Sequence, residues 1–185
     1  YTSGRTSRER RSAQTALYEI LDALTRMFAP ILSHTMEEVW GHMPARAEES
    51  VHLALWPEPG PFEPDPEWDR VWAVRAEVYR ELERLRRAGA IGKSLEARVT
   101  LHAADPALAR TLRAADLQEV LIVSEAIVAD APAGREAEEL KGLFIHVERS
   151  PHPKCERCWN LRADVGRDAR HPTLCGRGVA VVAGA

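Results

Sequence analysis

Two knuckles, Cys155-Glu156-Arg157-Cys158 and Cys175-Gly176-Arg177-Gly178, constrain this chain more than any other feature, since they hold all 3 of its cysteines. Sixteen residues separate Cys158 from Cys175, within the ~15–20 residues that part the two Cys-x-x-Cys pairs of a zinc ribbon. Two residues between thiolates let a tight turn aim both sulfurs at one tetrahedral ion, and the longer loop brings the second pair round. The last ligand slot holds Gly178 instead of a cysteine. His171, His152 or water is then the candidate for the fourth position, because neutral imidazole completes three-Cys, one-His sites. The opposing reading is a dead site in a poorly ordered tail. Pro151, Pro153 and Pro172 make that tail loop-like, and only a metal would organise so small a unit. A Cys155–Cys158 disulfide is disfavoured, because no signal peptide or disulfide framework points to an oxidising compartment.

With 185 residues and 45% hydrophobic content, the chain holds one ordinary core plus small appendages. No apolar run approaches the ~20 residues needed to span a bilayer, so no membrane partner is expected. The net charge of −3 does not advertise a nucleic-acid binder, but its distribution says more. Arg5, Arg8, Arg10 and Arg11 cluster at one end. Arg149, Lys154, Arg157, Arg162, Arg167, Arg170 and Arg177 outnumber the acids at the other. Basic ends on an acidic middle suit contact with phosphate at selected places, although such runs are usually solvated faces. The chain opens at Tyr1 without an initiator methionine, which reads as a processed, excised or fragmentary chain.

From Arg8 to Phe28 the period is helical, with Leu17, Ile20, Leu21, Leu24 and Phe28 on one stripe, and Pro30 punctuates it. A second helix to about Met43 carries Met36, Val39, Trp40 and Met43, with Thr35 and Glu38 as a capping box. The pair should pack antiparallel, with further partners lying upstream. Pro57, Pro59, Pro61, Pro64 and Pro66 forbid helix and central strand, so 57–66 is a connector. Asp65-Pro66 then opens a helix to about Ala88 whose buried stripe is Trp68, Val71, Trp72, Val78, Leu82 and Leu85, with Gly89 as its stop. Leu95, Ala97, Val99 and Leu101 alternate as a strand, Pro106 to Ala114 forms a short helix, and Val120–Val123 and Leu143–Val147 form further strands. The predicted fold class is α+β in several parts: helices over 1–56, the connector 57–66, a small α/β unit over 67–150 and a zinc-ribbon-like tail over 151–185.

Several segments in this order resemble the C-terminal part of a bacterial-type isoleucyl-tRNA synthetase of class I. Arg10-Arg11-Ser12-Ala13-Gln14-Thr15-Ala16-Leu17-Tyr18, Ala29-Pro30-Ile31-Leu32 and Glu37-Glu38-Val39-Trp40 are similar to its helical anticodon-binding domain. Ile91-Gly92-Lys93-Ser94-Leu95-Glu96-Ala97 is similar to the junction that follows. Lys154-Cys155-Glu156-Arg157-Cys158-Trp159, Asp164-Val165-Gly166 and His171-Pro172-Thr173-Leu174-Cys175-Gly176-Arg177 are similar to its terminal zinc module. The resemblance implies zinc at Cys155, Cys158 and Cys175, a cytoplasmic protein, the anticodon arm of tRNA(Ile) as partner, and catalytic and editing domains elsewhere in a parent chain. ATP and Mg2+ would belong to that catalytic domain, whose HIGH-type and KMSKS-type signatures this chain lacks. No catalytic residue is therefore expected, and the chain alone should not activate isoleucine. Gly178 departs from the family's cysteine and bears directly on zinc affinity. The helices alone would equally suit a valyl, leucyl or methionyl enzyme, and a stand-alone RNA-binding zinc-ribbon protein is the alternative of a different class.

Lys154, Arg157, Trp159 and Arg177 are the candidate RNA contacts. Trp159 either stacks on an unpaired base or plugs the ribbon's small core, and the three cations either reach phosphates or remain solvated. Trp40, Trp68 and Trp72 lie on apolar stripes and are expected in the core. Lys93 and Ser94 suit a turn as well as a phosphate contact.

Overall fold

The computed structural model describes residues 2–60 and 63–184, so Pro61 of the expected connector and Tyr1 lie outside the described residues. The chain divides into two compact units, Ser3–Glu63 and Pro64–Ala185.

In the first unit α1 spans Arg8–Phe28 and α2 spans Ser33–His42. Ser7 caps α1 by accepting from the Arg10 N–H, which satisfies one of the orphan donors of the first turn. The second helix starts two residues before the expected Thr35–Glu38 box and has no side-chain cap. Glu37 instead reaches forward, accepting from Ser50 Oγ at 2.9 Å and the Val51 N–H at 3.0 Å. A small core of Ala29, Trp40, Met43 and Val51 results, with the Trp40 indole donating to the Glu48 carbonyl. The α1 stripe of Leu17, Ile20, Leu21, Leu24 and Phe28 is exposed.

The second unit is a two-layer α+β assembly. Asp65 caps α3 (Pro66–Arg87), with proline at its first position, and Gly89 follows the helix in the left-handed region. Strand β1 (Ala97–Ala103) lies at the centre of a sheet in the order β2-β1-β4-β3, parallel to β2 (Glu125–Val128) and antiparallel to β4 (Leu143–Arg149). The short edge β3 (Arg135–Glu136) is antiparallel to β4. Gly134 precedes β3 at φ +82, where a Cβ would lie 2.2 Å from the Ile145 carbonyl oxygen, so only glycine lets the edge approach so closely. Alternate residues of β1 and β4 are buried beneath α3 and α4 (Pro106–Ala114), with Val74, Val78, Leu82, Val99, Leu101, Leu112, Leu121 and Leu143 at the centre. No helix among the described residues is long and apolar enough to cross a membrane.

Three expectations are corrected. Leu95 is not in the strand: it lies in a 3-10 turn over Ser94–Glu96, and β1 begins at Ala97. Val120–Val123 is not a strand. Asp116 caps a one-turn helix α5 (Leu117–Leu121), Leu117 and Leu121 bury their side chains four residues apart, and Ile122 ends the turn at φ +55. A short apolar run fits a buried helical turn and a buried strand equally, and the strand itself begins at Glu125. Trp68 and Trp72 are not core: they are 45% and 49% exposed, one position off the Val71, Val74, Val78 and Leu82 stripe. The two rings face each other at 6.0 Å, and the Arg75 guanidinium lies over Trp72 and Tyr79. Leu121→Ala should therefore cost about 2–5 kcal/mol of stability, whereas Trp68→Ala should cost about 1 kcal/mol or less. Urea unfolding of the two variants measures the contrast.

Candidate metal centre and nucleic-acid face

Residues 151–182 fold as two knuckles around three sulfurs. The first is a short hairpin, with Lys154 bridged to Leu161. The Cys155 N–H donates to the Asn160 carbonyl, the Trp159 N–H to the Cys155 carbonyl, and the Arg162 N–H to the Pro153 carbonyl, each at 2.9 Å. The second knuckle opens α6 (Gly176–Val182). Gly176 donates its N–H to Asp164 Oδ2 at 2.8 Å, and a Cβ there would sit 2.9 Å from the same oxygen, so glycine is required for the approach. Burial pushes the Asp164 carboxyl up, but the Gly176 N–H, its own backbone N–H and Arg162 hold it below the usual carboxylate range.

Cys155, Cys158 and Cys175 are buried, and their sulfurs all lie within 4.8 Å of one another. Sulfurs ~2.3 Å from a tetrahedral zinc stand about 3.8 Å apart. The Cys158 and Cys175 sulfurs are 3.7 Å apart, so the cluster fits that ion. Burial raises the Cys155 thiol, yet the backbone N–H groups of Cys158, Cys175 and Arg157 turn it down to about 7; the Cys175 N–H reaches its sulfur at 3.3 Å. Cys175 is pushed up to about 11, by burial and by its two sulfur neighbours. One thiolate is welcome here, and further ones need a cation.

Neither candidate histidine joins the cluster. His152 faces the sheet, with Nε2 3.3 Å from Arg98 Nη2 and 4.0 Å from Glu125 Oε2. His171 sits in the turn before Cys175, with its N–H donating to the Asp168 carbonyl, and does not contribute to the sulfur group among the described residues. Gly178, buried within α6, lies beside the cysteines: a Cβ built on it would be 3.6 Å from Cys155 Sγ.

Trp159 does not plug the core. It is 50% exposed, and its backbone takes φ +66, a region costly for a bulky side chain. The ring is flanked by two ammonium groups: Lys154 Nζ lies 4.5 Å from its centre and Lys93 Nζ 4.9 Å. Lys93 is thus a partner that spacing alone assigned no more strongly to phosphate than to a turn, because the fold brings it across 66 residues of chain. Arg177 is exposed on α6, while Arg157 packs its side chain towards Gly178.

The knuckles are anchored to the sheet by Ser124, whose buried hydroxyl accepts from the Leu161 N–H at 2.6 Å and donates to the Leu95 carbonyl. Ser124→Ala would leave a buried N–H without an acceptor. The expected loss is about 1–3 kcal/mol, with faster amide exchange concentrated over 151–176. Exchange that accelerates evenly over the whole second unit would contradict the anchoring role.

Comparison with known proteins agrees with this geometry. The family model for the anticodon-binding domain of tRNA ligase matches residues 1–101, and that for a zinc finger found in FPG and IleRS matches residues 153–177. The chain is similar to the isoleucine–tRNA ligase of Geobacter sulfurreducens, 45% identical over 190 residues that cover 98% of this chain and 20% of that protein. It is also similar to that of Pseudomonas fluorescens, 46% identical over 195 residues covering 100% of this chain and 21% of that protein. The chain of Pseudomonas putida is 47% identical over 187 residues, covering 96% and 20%. The chain therefore spans about a fifth of the length of these relatives. With more than half of its residues matched, this chain belongs to the family of the anticodon-binding domain of tRNA ligases.

Proposed function

We propose that this chain is the anticodon-arm-gripping portion of an isoleucine–tRNA ligase that works in the cytoplasm. The parent protein attaches isoleucine to tRNA(Ile) with ATP and Mg2+ in a separate catalytic domain. The observation that carries the reading is the Trp159 ring, half exposed, held in a left-handed backbone and flanked by Lys93 and Lys154. An aromatic face stacks on any unpaired base, and the adjacent ammonium groups meet the phosphates on either side of it. A backbone that bears this strain without glycine points to a use for the ring itself. Arg157 and Arg177, beside the cysteines in sequence, are further phosphate contacts in this reading.

Zinc held by Cys155, Cys158 and Cys175 supports this face from behind. When bound, zinc neutralises the thiolates and cross-links the two knuckles. The residues of the chain do the rest: the Cys155–Cys158 turn sets the backbone of Trp159, and the Lys154–Leu161 bridge holds Lys154 beside the ring.

Trp159→Gly separates stacking from structure. It relieves the left-handed backbone, so thermal stability and zinc content should stay equal or rise. Affinity for an anticodon stem–loop should fall by about 1–3 kcal/mol. Unchanged RNA affinity would sink the stacking role. Replacing Lys93 and Lys154 together with alanine should flatten the dependence of log affinity on log salt by about one to two units, at roughly 0.7 per single-strand phosphate. A slope equal to the parent chain's would remove both lysines from the interface.

A further inference from the structure

The fourth corner of the sulfur cluster points to a binding position of its own. Gly178 stands three residues after Cys175, where a second knuckle would place its second thiolate. A Cβ at that position would meet Leu174 Cβ at 3.5 Å, Arg157 Cδ at 3.6 Å and Cys155 Sγ at 3.6 Å, all ordinary contact distances. The helix backbone therefore passes at the right distance for a ligand side chain and supplies none. Among the described residues, no histidine, aspartate or glutamate joins the three sulfurs. His152 is held by Arg98 and Glu125, while Asp164 accepts the Gly176 N–H on Oδ2 and pairs with Arg162 through Oδ1 at 3.5 Å.

We propose that a metal ion held by Cys155, Cys158 and Cys175 keeps an exchangeable fourth position on the Gly178 side, which binds a small neutral monodentate donor from solution. The inference rests on the zinc reading given above. Water fills the position by default, and an imidazole-type nitrogen competes for it. Charge selects the neutral class: three thiolates and a divalent cation leave one net negative charge, and an anionic donor would add a second in a buried, poorly solvated site. Size selects a small donor, because the space is that of an omitted cysteine side chain lined by Leu174 and Arg157. The site is thus structural in its three protein ligands and open in its fourth, the arrangement that otherwise marks catalytic zinc.

The test uses the 185-residue chain loaded with Co2+, whose thiolate charge-transfer absorption reports the three sulfurs and whose visible bands report the fourth donor. Imidazole should shift the visible bands saturably while the charge-transfer absorption persists. G178C should show no such response and should bind zinc more tightly by about tenfold or more. H171A and H152A should respond like the parent chain, which keeps the test valid if G178C folds poorly. Visible bands indifferent to imidazole, or a response that appears only in H171A or H152A, would overturn the open position and assign the corner to the protein. Absence of thiolate charge transfer would instead sink the zinc reading on which it rests.

Discussion

Three sulfurs in one dry pocket set the terms for the end of this chain. Cys155, Cys158 and Cys175 are buried together, and each deprotonation makes the next harder. Backbone N–H groups aimed at Cys155 stabilise a thiolate there, and a second thiolate at Cys175 needs a cation. Apolar cover is slight, with Val165 and Leu174 packed against the cysteines, so hydrophobic burial contributes little to holding the knuckles closed. The outside of the first knuckle, from the Trp159 backbone to Lys154, is built directly on these cysteines.

The sheet supplies the second support. Ser124 lies just before β2 and ties the Leu161 amide to the Leu95 carbonyl, so the knuckles dock on a core that folds by ordinary burial. The same docking brings Lys93, from the turn after α3, beside Trp159. The presented face is accordingly made by two parts of the chain with different sources of stability. The cysteine cluster, a candidate zinc site, closes one, and the apolar interior of the sheet unit positions the other.

Much of this was legible in the residues themselves. Asp65-Pro66 marked the start of α3 by hydrogen bond and by fixed φ, and Pro106 marked that of α4, which the structure shows capped by Asp105. The alternation of Leu95, Ala97, Val99 and Leu101 marked β1 but started it too early, since Leu95 lies in the turn before the strand. Periodicity failed where a run was short, at Val120–Val123, and where two stripes competed, at Trp68 and Trp72 beside Val71 and Val74. Ligand spacing found the sulfurs and named two histidines that do not join them, because spacing carries no direction. Lys93 was illegible as a neighbour of Trp159, since only tertiary docking joins them.

In the proposed function, metal closure of the cysteine cluster maintains the face that contacts RNA. Its most direct measurement is the affinity of one sample for an anticodon stem–loop as purified with zinc, after chelation, and after zinc is restored. The account predicts that affinity and salt dependence both fall on chelation and both recover with zinc. Equal affinity and an equal salt slope in the zinc-free chain would contradict it, because the Trp159 and lysine face would then stand without the metal.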